Sequence, residues 1–244
     1  MFTSFNFKNN PVVTLIIVIN LIYFIILEAD GGSTNWLTLV YWGAKEGISI
    51  AGGDYWRLIT PIFMHIGLFH LISNTIGLII FGPVIERIFG SQRLICIYLI
   101  TGAWGNVASF LTNNAIGAGG SGALFGLAGV YASYLFINRG NLGGWGRESL
   151  VGLSWIIGIN LIFGFTLDGI DNSAHLGGLV AGWIIGILLC PVSRIILTSE
   201  VDSIPVFVEK TILSHKKVSL WAVMIVVNII LIWLSTRAIT LMFY

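Results

Sequence analysis

The sequence predicts an all-α membrane protein in which a six-helix bundle is followed by one additional C-terminal transmembrane helix. Of its 244 residues, 56% are hydrophobic and only 9% are charged, whereas a soluble domain has about 25% charged residues. Mostly apolar stretches, close to the length of about 20 residues that crosses a bilayer, recur along the whole chain. They lack the alternation of polar and apolar residues that is typical of barrel strands, so the spans are predicted to be helices.

Seven spans can be placed along the chain. They are predicted at residues 11–27, 62–83, 94–113, 121–138, 149–167, 173–191 and 218–240. The first six form a core at residues 1–191. A more polar stretch, residues 192–217, is interpreted as a cytoplasmic linker, and residues 218–244 contain the additional span.

The first span is predicted to be retained rather than cleaved as a signal peptide. Lys8 precedes the apolar run, as in a signal peptide, but the run continues to Leu27 and no clear small-residue cleavage site follows it. The absence of a transit-like leader favours a bacterial plasma membrane as the location.

Positively charged residues set the predicted orientation. Membrane proteins carry an excess of Lys and Arg in their cytoplasmic loops. With the N-terminus in the cytoplasm, only Lys45, Arg57 and Arg237 fall on the outer side. The cytoplasmic side then holds Lys8, Arg87, Arg93, Arg139, Arg147, Arg194, Lys210, Lys216 and Lys217.

The connection at residues 28–61 is predicted to be a membrane-embedded first loop. It is too long for a simple turn, and it is rich in aromatic and large apolar side chains, which favour the membrane interface. These are Trp36, Leu37, Leu39, Val40, Tyr41, Trp42, Tyr55 and Trp56.

Composition and charge also bear on the partners. A net charge of +1 gives no electrostatic basis for binding nucleic acid, so lipid and lipid-embedded proteins are the expected partners. Cys96 and Cys190 lie in apolar stretches, where a cysteine acts as a small hydrophobic residue, and they do not form a metal-binding spacing. No metal or cofactor is predicted.

Polar residues inside membrane spans are candidates for function, because lipid makes them costly to retain. Three clusters stand out. The second span contains His65, His70 and Asn74, the fourth begins with Ser121 after two glycines, and the sixth carries His175 near its start.

The predicted topology brings these clusters to one side of the membrane. Spans two, four and six all run inwards from the outside, and Ser121 and His175 fall in the first turns of their spans. Glycines spaced four residues apart let membrane helices pack with their backbones in contact, so Ser121 is expected beside His175. These glycines are Gly122 and Gly126 in span four and Gly178, Gly182 and Gly186 in span six.

A serine beside a histidine can carry out acyl transfer. Neutral histidine can remove the serine proton, so Ser121 is the candidate nucleophile and His175 the candidate base. The oxyanion that develops needs N–H donors, which the Ser121 amide at a helix N-terminus and the side chains of His70 and Asn74 can supply. Asp171 is interpreted as a helix cap, so a dyad is the simpler proposal.

Taken in order, these motifs resemble those of the rhomboid family of intramembrane serine proteases. The resemblance covers roughly residues 11–191, and its strength lies in the complete set on the expected spans. The set is Trp56-Arg57, His65, His70-x-x-x-Asn74, Glu86-Arg87, Gly119-x-Ser121-Gly122 and Ala174-His175-x-x-Gly178.

The resemblance implies a rhomboid-like six-helix core with Ser121 as nucleophile and His175 as general base. His70, Asn74 and the amide of Ser121 would form the oxyanion hole. The additional C-terminal span resembles the six-plus-one arrangement found in part of the family.

The resemblance also implies supporting roles for four further residues. His65 would be structural or would bond a loop near the site, and Trp56 and Arg57 would anchor the first loop. Phe125 would stack on the base at a position where family members commonly have tyrosine, so the tyrosine hydroxyl is absent here.

The resulting hypothesis is a serine endopeptidase that cleaves transmembrane segments of other membrane proteins near the extracytoplasmic side. A transporter is one alternative, although the spans lack deep charged residues and show no clear inverted repeat. A non-catalytic rhomboid-like protein that binds transmembrane helices is another, although it would be expected to lack the serine or the histidine. Neither the natural substrate nor the oligomeric state follows from the sequence.

Overall fold

The computed structural model describes three segments of the chain, residues 5–167, 169–201 and 204–212, and six positions beyond them. Those positions are Ile225, Asn228, Ile229, Ile232, Trp233 and Arg237.

Helices make up the membrane part of the described chain. They are α1 (Pro11–Ala29), α2 (Trp36–Tyr41), α3 (Gly47–Ala51), α4 (Gly67–Phe89), α5 (Ser91–Thr112), α6 (Ser121–Ile137), α7 (Arg139–Thr166) and α8 (Asn172–Leu189). Helices α1, α4, α5, α7 and α8 are long and apolar enough to cross a membrane, and α6 is an apolar helix of 17 residues. The predicted all-helical membrane bundle is therefore confirmed.

Short connections between the long helices define two ends of the bundle. Gly90, at φ +87°, lies between α4 and α5. Helix α6 ends at Ile137, and α7 is kinked at Gly143 (φ +57°), so residues 138–143 connect α6 to the long part of α7. Such short connections make the joined helices antiparallel. The contact between Ser121 and His175 places the start of α8 beside that of α6, so the N-termini of α4, α6 and α8 lie at one end. The first loop, predicted at residues 28–61, occupies residues 30–66 in the structure and lies at the same end.

Helix α4 begins and ends later than the predicted span at residues 62–83. Residues Thr60–Phe63 form a 3-10 turn instead. Residues 64–66 separate this turn from α4, whose first residue, Gly67, has a φ of +77°, outside the right-handed helical region. Pro83 lies within α4, which membrane helices tolerate. As a result, His70 lies near the start of α4 and not deeper in the span.

Helix α6 is the centre of the bundle, and every residue from Gly122 to Leu135 is buried. It packs against α8 with the two backbones in contact. A Cβ atom on Gly178 would lie 1.9 Å from the carbonyl oxygen of Gly122, and one on Gly182 would lie 2.0 Å from that of Gly126. These four residues are called the glycine seam below. No side chain fits at Gly178 or Gly182 unless the helices move apart.

A buried carboxylate joins α1, α4 and α5 at the other end. Glu86 Oε1 accepts hydrogen bonds from the Val12 amide at 2.9 Å and from Ser91 Oγ at 2.7 Å, and Oε2 accepts one from the Val13 amide at 3.3 Å. The first amides of a helix lack partners within it, and the N-cap residue Asn10 makes no side-chain cap here. Glu86 therefore supplies the missing cap of α1 from another helix.

Arg57 holds the first loop in a fixed conformation. Its Nη1 donates to the carbonyl oxygens of Val40 at 2.7 Å and Ala44 at 3.2 Å. Its Nε donates to Asp54 Oδ2 at 3.1 Å, and the guanidinium lies 4.5 Å from the centre of the Trp56 ring. One buried side chain thus joins three parts of the loop.

The same loop exposes large apolar side chains on its outer surface. Exposed apolar patches on this scale are typical of surfaces that contact lipid or another protein. That the loop is embedded in the membrane stays a prediction. The exposed side chains include Trp36, Leu37, Tyr41, Ile48 and Trp56.

A two-stranded antiparallel hairpin follows α8 in the stretch interpreted as a linker. Strand β1 (Val192–Val201) pairs with β2 (Ile204–Ile212). Both segments are rich in β-branched residues, which favour strands. The linker prediction rested on polarity alone and therefore missed this pattern.

The predicted seventh span at residues 218–240 lies mostly outside the described residues. The six positions that are described there are helical. Asn228 Oδ1 accepts a hydrogen bond of 2.6 Å from Trp104 Nε1 on α5, and Ile225 packs against the core of the bundle. These contacts join this part of the chain to α5.

Candidate active site

Ser121 and His175 are in direct contact at the end of the bundle that carries the first loop. The distance between Ser121 Oγ and His175 Nε2 is 2.9 Å. Ser121 is the first residue of α6, and His175 lies in the first turn of α8. The glycine seam brings these two turns together, because backbones in contact leave no space for intervening side chains. The result is a hydroxyl within hydrogen-bonding reach of a potential base.

The ring of His175 is held between α6 and α8. It is only 7% exposed, and it stacks on Phe125 with 4.2 Å between the ring centres and 9° between the planes. The other ring nitrogen, Nδ1, is buried and has no hydrogen-bond partner among the described residues. Asp171 instead caps α8 by accepting a 3.0 Å hydrogen bond from the Ala174 amide. Among the described residues, Ser121 and His175 are therefore in contact without a carboxylate bonded to the second ring nitrogen of His175.

His70 presents one of its ring nitrogens to the space beside Ser121. Its Nδ1 accepts a hydrogen bond from the Ile66 amide at 3.4 Å, so the proton of the neutral ring is assigned to Nε2. That Nε2 faces Gly119, where a Cβ atom would lie 2.9 Å from it and 3.8 Å from Ser121 Oγ. His70 can therefore donate a hydrogen bond into this space.

Gly119 keeps the space between His70 and Ser121 open. Its φ is +145°, which disfavours residues with a side chain, and a Cβ atom there would lie 2.6 Å from Cε1 of the His70 ring. The Gly119 amide donates to the Pro61 carbonyl oxygen at 2.8 Å, which fixes the loop before α6. A side chain at position 119 would therefore collide with the His70 ring and push it away from Ser121.

Asn74 lies beside the residue that precedes Ser121. Its side chain is buried, and Nδ2 donates to the carbonyl oxygen of His70 at 3.0 Å. Its Oδ1, which has no partner among the described residues, would lie 3.6 Å from a Cβ atom on Gly120. The amide group has a second N–H. The Ser121 amide at the start of α6, His70 Nε2 and this Asn74 N–H are thus three candidate donors in one neighbourhood.

His65 packs against the ring of His70. It is fully buried in the first loop, and the two rings are 5.3 Å apart in an edge-to-face arrangement. Burial, together with a smaller effect of His70, lowers the pKa of His65 to about 3. His65 therefore remains neutral at physiological pH.

We expect the folded protein to lose stability as the pH falls from 6.5 towards about 3, and His65→Gln to reduce this loss. In the unfolded chain His65 binds a proton near pH 6.5, whereas in the folded protein it does so only near pH 3. Acid therefore favours the unfolded state across this interval, and the stabilising contribution is fully present above it. The unfolding midpoint of both proteins in detergent, measured over this pH range, provides the test. Parallel curves for the two proteins would contradict it.

His65 and His70 are adjacent, but no group of three His, Cys, Asp or Glu side chains that could hold a metal ion occurs in the part of the chain that the structure describes.

Sequence reasoning missed one buried charge near the site. Lys45 counts as an external charge in the predicted orientation, yet its side chain is 0% exposed. Its hydrogen-bond partners, Ser109 and Asn113, are 64 and 68 positions away in the chain. The sequence contains no local pattern that would connect residues so far apart.

The site lies deeper in the bundle than the C-terminal end of α5. A Cβ atom on Gly105 would lie 3.3 Å from the Cα of Gly122, so Ser121 is nearly level with Gly105. Helix α5 continues from there to Thr112, which adds about 10 Å at about 1.5 Å per residue. Ser121 is therefore recessed into the bundle.

An apolar cavity of about 300 Å³ opens beside Ser121 between α4, α6 and α7. Helix α7 closes one side of it, although only Gly146 and Leu153 of α7 are buried. This helix is therefore the most loosely packed wall. The apolar side chains that line the cavity include Ile76, Ile80, Phe81, Leu124 and Ile157.

Comparison with known proteins identifies the family. The sequence model of the Rhomboid domain matches residues 52–192, which is more than half of the chain. The chain is an integral, multi-pass membrane protein that belongs to the rhomboid family. This confirms the resemblance found in the sequence motifs.

Three relatives illustrate the similarity. Rhomboid protease GluP of Bacillus subtilis is 45% identical over 169 residues, which are 69% of this chain and 33% of GluP. YdcA of the same Bacillus subtilis strain, also named for the rhomboid proteases, is 31% identical over 181 residues, or 73% of this chain and 88% of YdcA. RHOMBOID-like protein 5 of Arabidopsis thaliana is 40% identical over 160 residues, or 62% of this chain and 50% of that protein. The chain thus spans a third of GluP and half of the plant relative.

Proposed function

We propose that this protein is an intramembrane serine endopeptidase that cleaves the transmembrane segments of other membrane proteins. The names of the relatives GluP and YdcA support a protease. The observation that carries the proposal is the 2.9 Å contact between Ser121 Oγ and His175 Nε2, next to a space bordered by N–H donors. Membrane lipid and single transmembrane helices are the proposed partners.

The first half of the reaction forms an acyl-enzyme. His175 Nε2 takes the proton of Ser121 as Oγ attacks the carbonyl carbon of the scissile peptide bond. The negative charge that develops on the carbonyl oxygen accepts hydrogen bonds from the Ser121 amide, His70 Nε2 and Asn74 Nδ2. His175 then donates its proton to the leaving amine, and the carbon–nitrogen bond breaks.

The second half releases the product. A water molecule attacks the acyl carbon while His175 accepts one of the water protons. The same donors stabilise the second oxyanion. The bond between the acyl carbon and Ser121 Oγ then breaks, Oγ regains a proton from His175, and the carboxylate product leaves.

The substrate helix enters through the cavity between α4 and α7. The cavity is apolar and ends at Ser121, so it matches the chemistry of a membrane-spanning segment. The segment must unwind locally before Ser121 can attack it, because the carbonyl groups of a regular helix are engaged in hydrogen bonds.

The site end of the bundle faces the extracytoplasmic side, with the N-terminus in the cytoplasm. The opposite end carries more basic residues, as the cytoplasmic side of membrane proteins does. A bacterial plasma membrane is the proposed location, and cleavage occurs near the outer surface. The basic residues of the described helices and N-terminal segment at the opposite end are Lys8, Arg87, Arg93, Arg139 and Arg147.

Covalent labelling of Ser121 tests this proposal. The wild-type chain in detergent is expected to react with a fluorophosphonate probe and to cleave a single-span reporter protein. Ser121→Ala should abolish labelling and lower cleavage by about 1,000-fold or more. Ser154→Ala is the matched control, because Ser154 is an exposed α7 residue that bonds only the Leu150 carbonyl oxygen of its own helix, and it should react like the wild type.

Two results would overturn the proposal. The first is equal labelling of Ser121→Ala and the wild type, which would exclude Ser121 as the nucleophile. The second is an unlabelled wild type that binds the reporter without cleaving it, which would favour a non-catalytic helix-binding protein.

A further inference from the structure

Lys45 is a fully buried cation in the first loop, outside the proposed dyad. Its Nζ donates to Ser109 Oγ at 2.7 Å, to Asn113 Oδ1 at 3.0 Å and to the Asn113 carbonyl oxygen at 3.3 Å. These contacts use all three donors of the ammonium group. The first loop is thereby joined to the end of α5.

Both partners of Lys45 also contact the carboxylate of Asp171. Ser109 Oγ donates to Asp171 Oδ2, and Asn113 Nδ2 donates to Asp171 Oδ1 at 3.5 Å. The ammonium and the carboxylate are therefore connected through two side chains at once. Lys45, Ser109, Asn113 and Asp171 are called the lysine cluster below.

Asp171 connects the lysine cluster to the helix that carries the proposed base. Its Oδ1 accepts a hydrogen bond of 3.0 Å from the Ala174 amide. Its carbonyl oxygen accepts one of 3.1 Å from the His175 amide. The first turn of α8, which holds the His175 ring against Ser121, is thus fixed by this residue.

The backbone of Lys45 contacts the loop that precedes the proposed nucleophile. The Lys45 amide donates to the Gly117 carbonyl oxygen at 2.8 Å, and the Gly117 amide donates to the Lys45 carbonyl oxygen at 3.0 Å. Gly117 lies two positions before Gly119 and four before Ser121. One residue therefore contacts the segments that lead to both members of the dyad.

A buried charge is costly unless its partners compensate for the loss of water. Burial lowers the pKa of Lys45, whereas the charges of Asp171 and Glu46 oppose this shift. If only its hydrophobic chain were needed at this position, an apolar residue would avoid the cost. The retained charge and its satisfied hydrogen bonds indicate a role that requires the ammonium group.

We propose that Lys45 is a positioning residue of the dyad, which acts through Ser109, Asn113 and Asp171 to fix the first turn of α8 and hence the ring of His175. This inference rests on the proposed function. It adds to the site a residue of the first loop that touches neither Ser121 nor substrate.

Substitution of Lys45 is expected to slow catalysis without weakening substrate binding. Lys45→Met removes the ammonium but keeps an unbranched apolar chain. It should lower kcat by about tenfold or more, because a small displacement of a catalytic group is costly. KM should change less than about twofold, since the cavity is lined by α4, α6 and α7 and the lysine cluster joins the first loop to α5 and α8.

Removal of the carboxylate charge is expected to rescue this variant. Asn is as good a helix cap as Asp, so Asp171→Asn keeps the bond to the Ala174 amide and should lower kcat by only about threefold. The double variant Lys45→Met/Asp171→Asn no longer has a carboxylate that has lost its cationic partner. Its kcat should return to within about threefold of Asp171→Asn.

The controls separate this inference from the proposed function. Lys8→Met changes an exposed lysine and should leave kcat unchanged, and all assays are run well below each unfolding midpoint. Failure of the wild type to react with the fluorophosphonate probe would remove the proposed function itself. A reactive wild type with a Lys45→Met kcat within twofold of it would overturn only the role of Lys45.

The remaining outcomes are also decisive. A Lys45→Met variant that loses activity and is not rescued by Asp171→Asn would overturn the route through Asp171. If Lys45→Met does not fold, Ser109→Ala tests the same connection, because it removes one hydroxyl that bridges Lys45 and Asp171 and keeps both charges. A kcat loss of about threefold or more with an unchanged KM would support the inference, and an unchanged kcat would overturn it.

Discussion

His175→Ala is expected to lower the rate of substrate cleavage by about 10,000-fold. The imidazole is the only base within reach of Ser121 Oγ among the described side chains, at 2.9 Å, and without it the serine proton has no acceptor. The expected loss lies in kcat, since the ring contacts α6 residues and does not line the apolar cavity. Single-turnover cleavage of the reporter protein in detergent measures the effect.

The control for this variant is a histidine from the predicted linker. His215→Ala removes an imidazole at a position outside the described residues and should cleave at the wild-type rate. The unfolding midpoint of His175→Ala is measured in parallel, because loss of stacking on Phe125 also removes buried contacts. A cleavage rate within tenfold of the wild type would show that another group acts as the base.

Gly178→Ala is expected to destabilise the fold by about 3 kcal/mol and to slow cleavage by about 100-fold. The added methyl group would lie 1.9 Å from the carbonyl oxygen of Gly122, which is backbone and cannot rotate away. Helices α6 and α8 must therefore separate, and the contact between Ser121 and His175 lengthens. Thermal unfolding and the rate of fluorophosphonate labelling report the two effects.

The matched control is the same substitution on a free helix face. Gly152 is an exposed residue of α7, and a Cβ atom there would meet nothing within 4 Å. Gly152→Ala should therefore retain the wild-type labelling rate and be as stable or slightly more stable, because alanine favours helix. Equal unfolding midpoints for Gly178→Ala and the wild type would mean that the seam can open at little cost.

The dyad contact could be predicted because its two causes are visible in the sequence. Helix topology follows from the apolar stretches, and it assigns Ser121 and His175 to the same side of the membrane. The four-residue glycine spacing then indicates which helices meet, and the short distances at Gly178 and Gly182 show this close approach. The family motifs added the expected roles.

Helix boundaries and long-range polar contacts could not be predicted in the same way. The start of α4 depends on the positive φ of Gly67, and composition does not reveal it. Glu86 caps a helix more than 70 positions away. The sequence predicts that Lys45 is an external charge, because no local pattern shows that its partners lie on α5 and in the segment before α8. Such contacts are set by the folded arrangement of the helices and not by any local pattern.

The glycine seam has a consequence for how this protein meets different lipids. A membrane protein adjusts to a thicker or thinner bilayer mainly by tilting its helices. Two helices whose backbones interlock cannot slide past one another, so α6 and α8 tilt as a single body. We expect the loosely packed α7 to take up the adjustment instead. The spacing between hydroxyl and imidazole should then vary little with the thickness of the surrounding membrane.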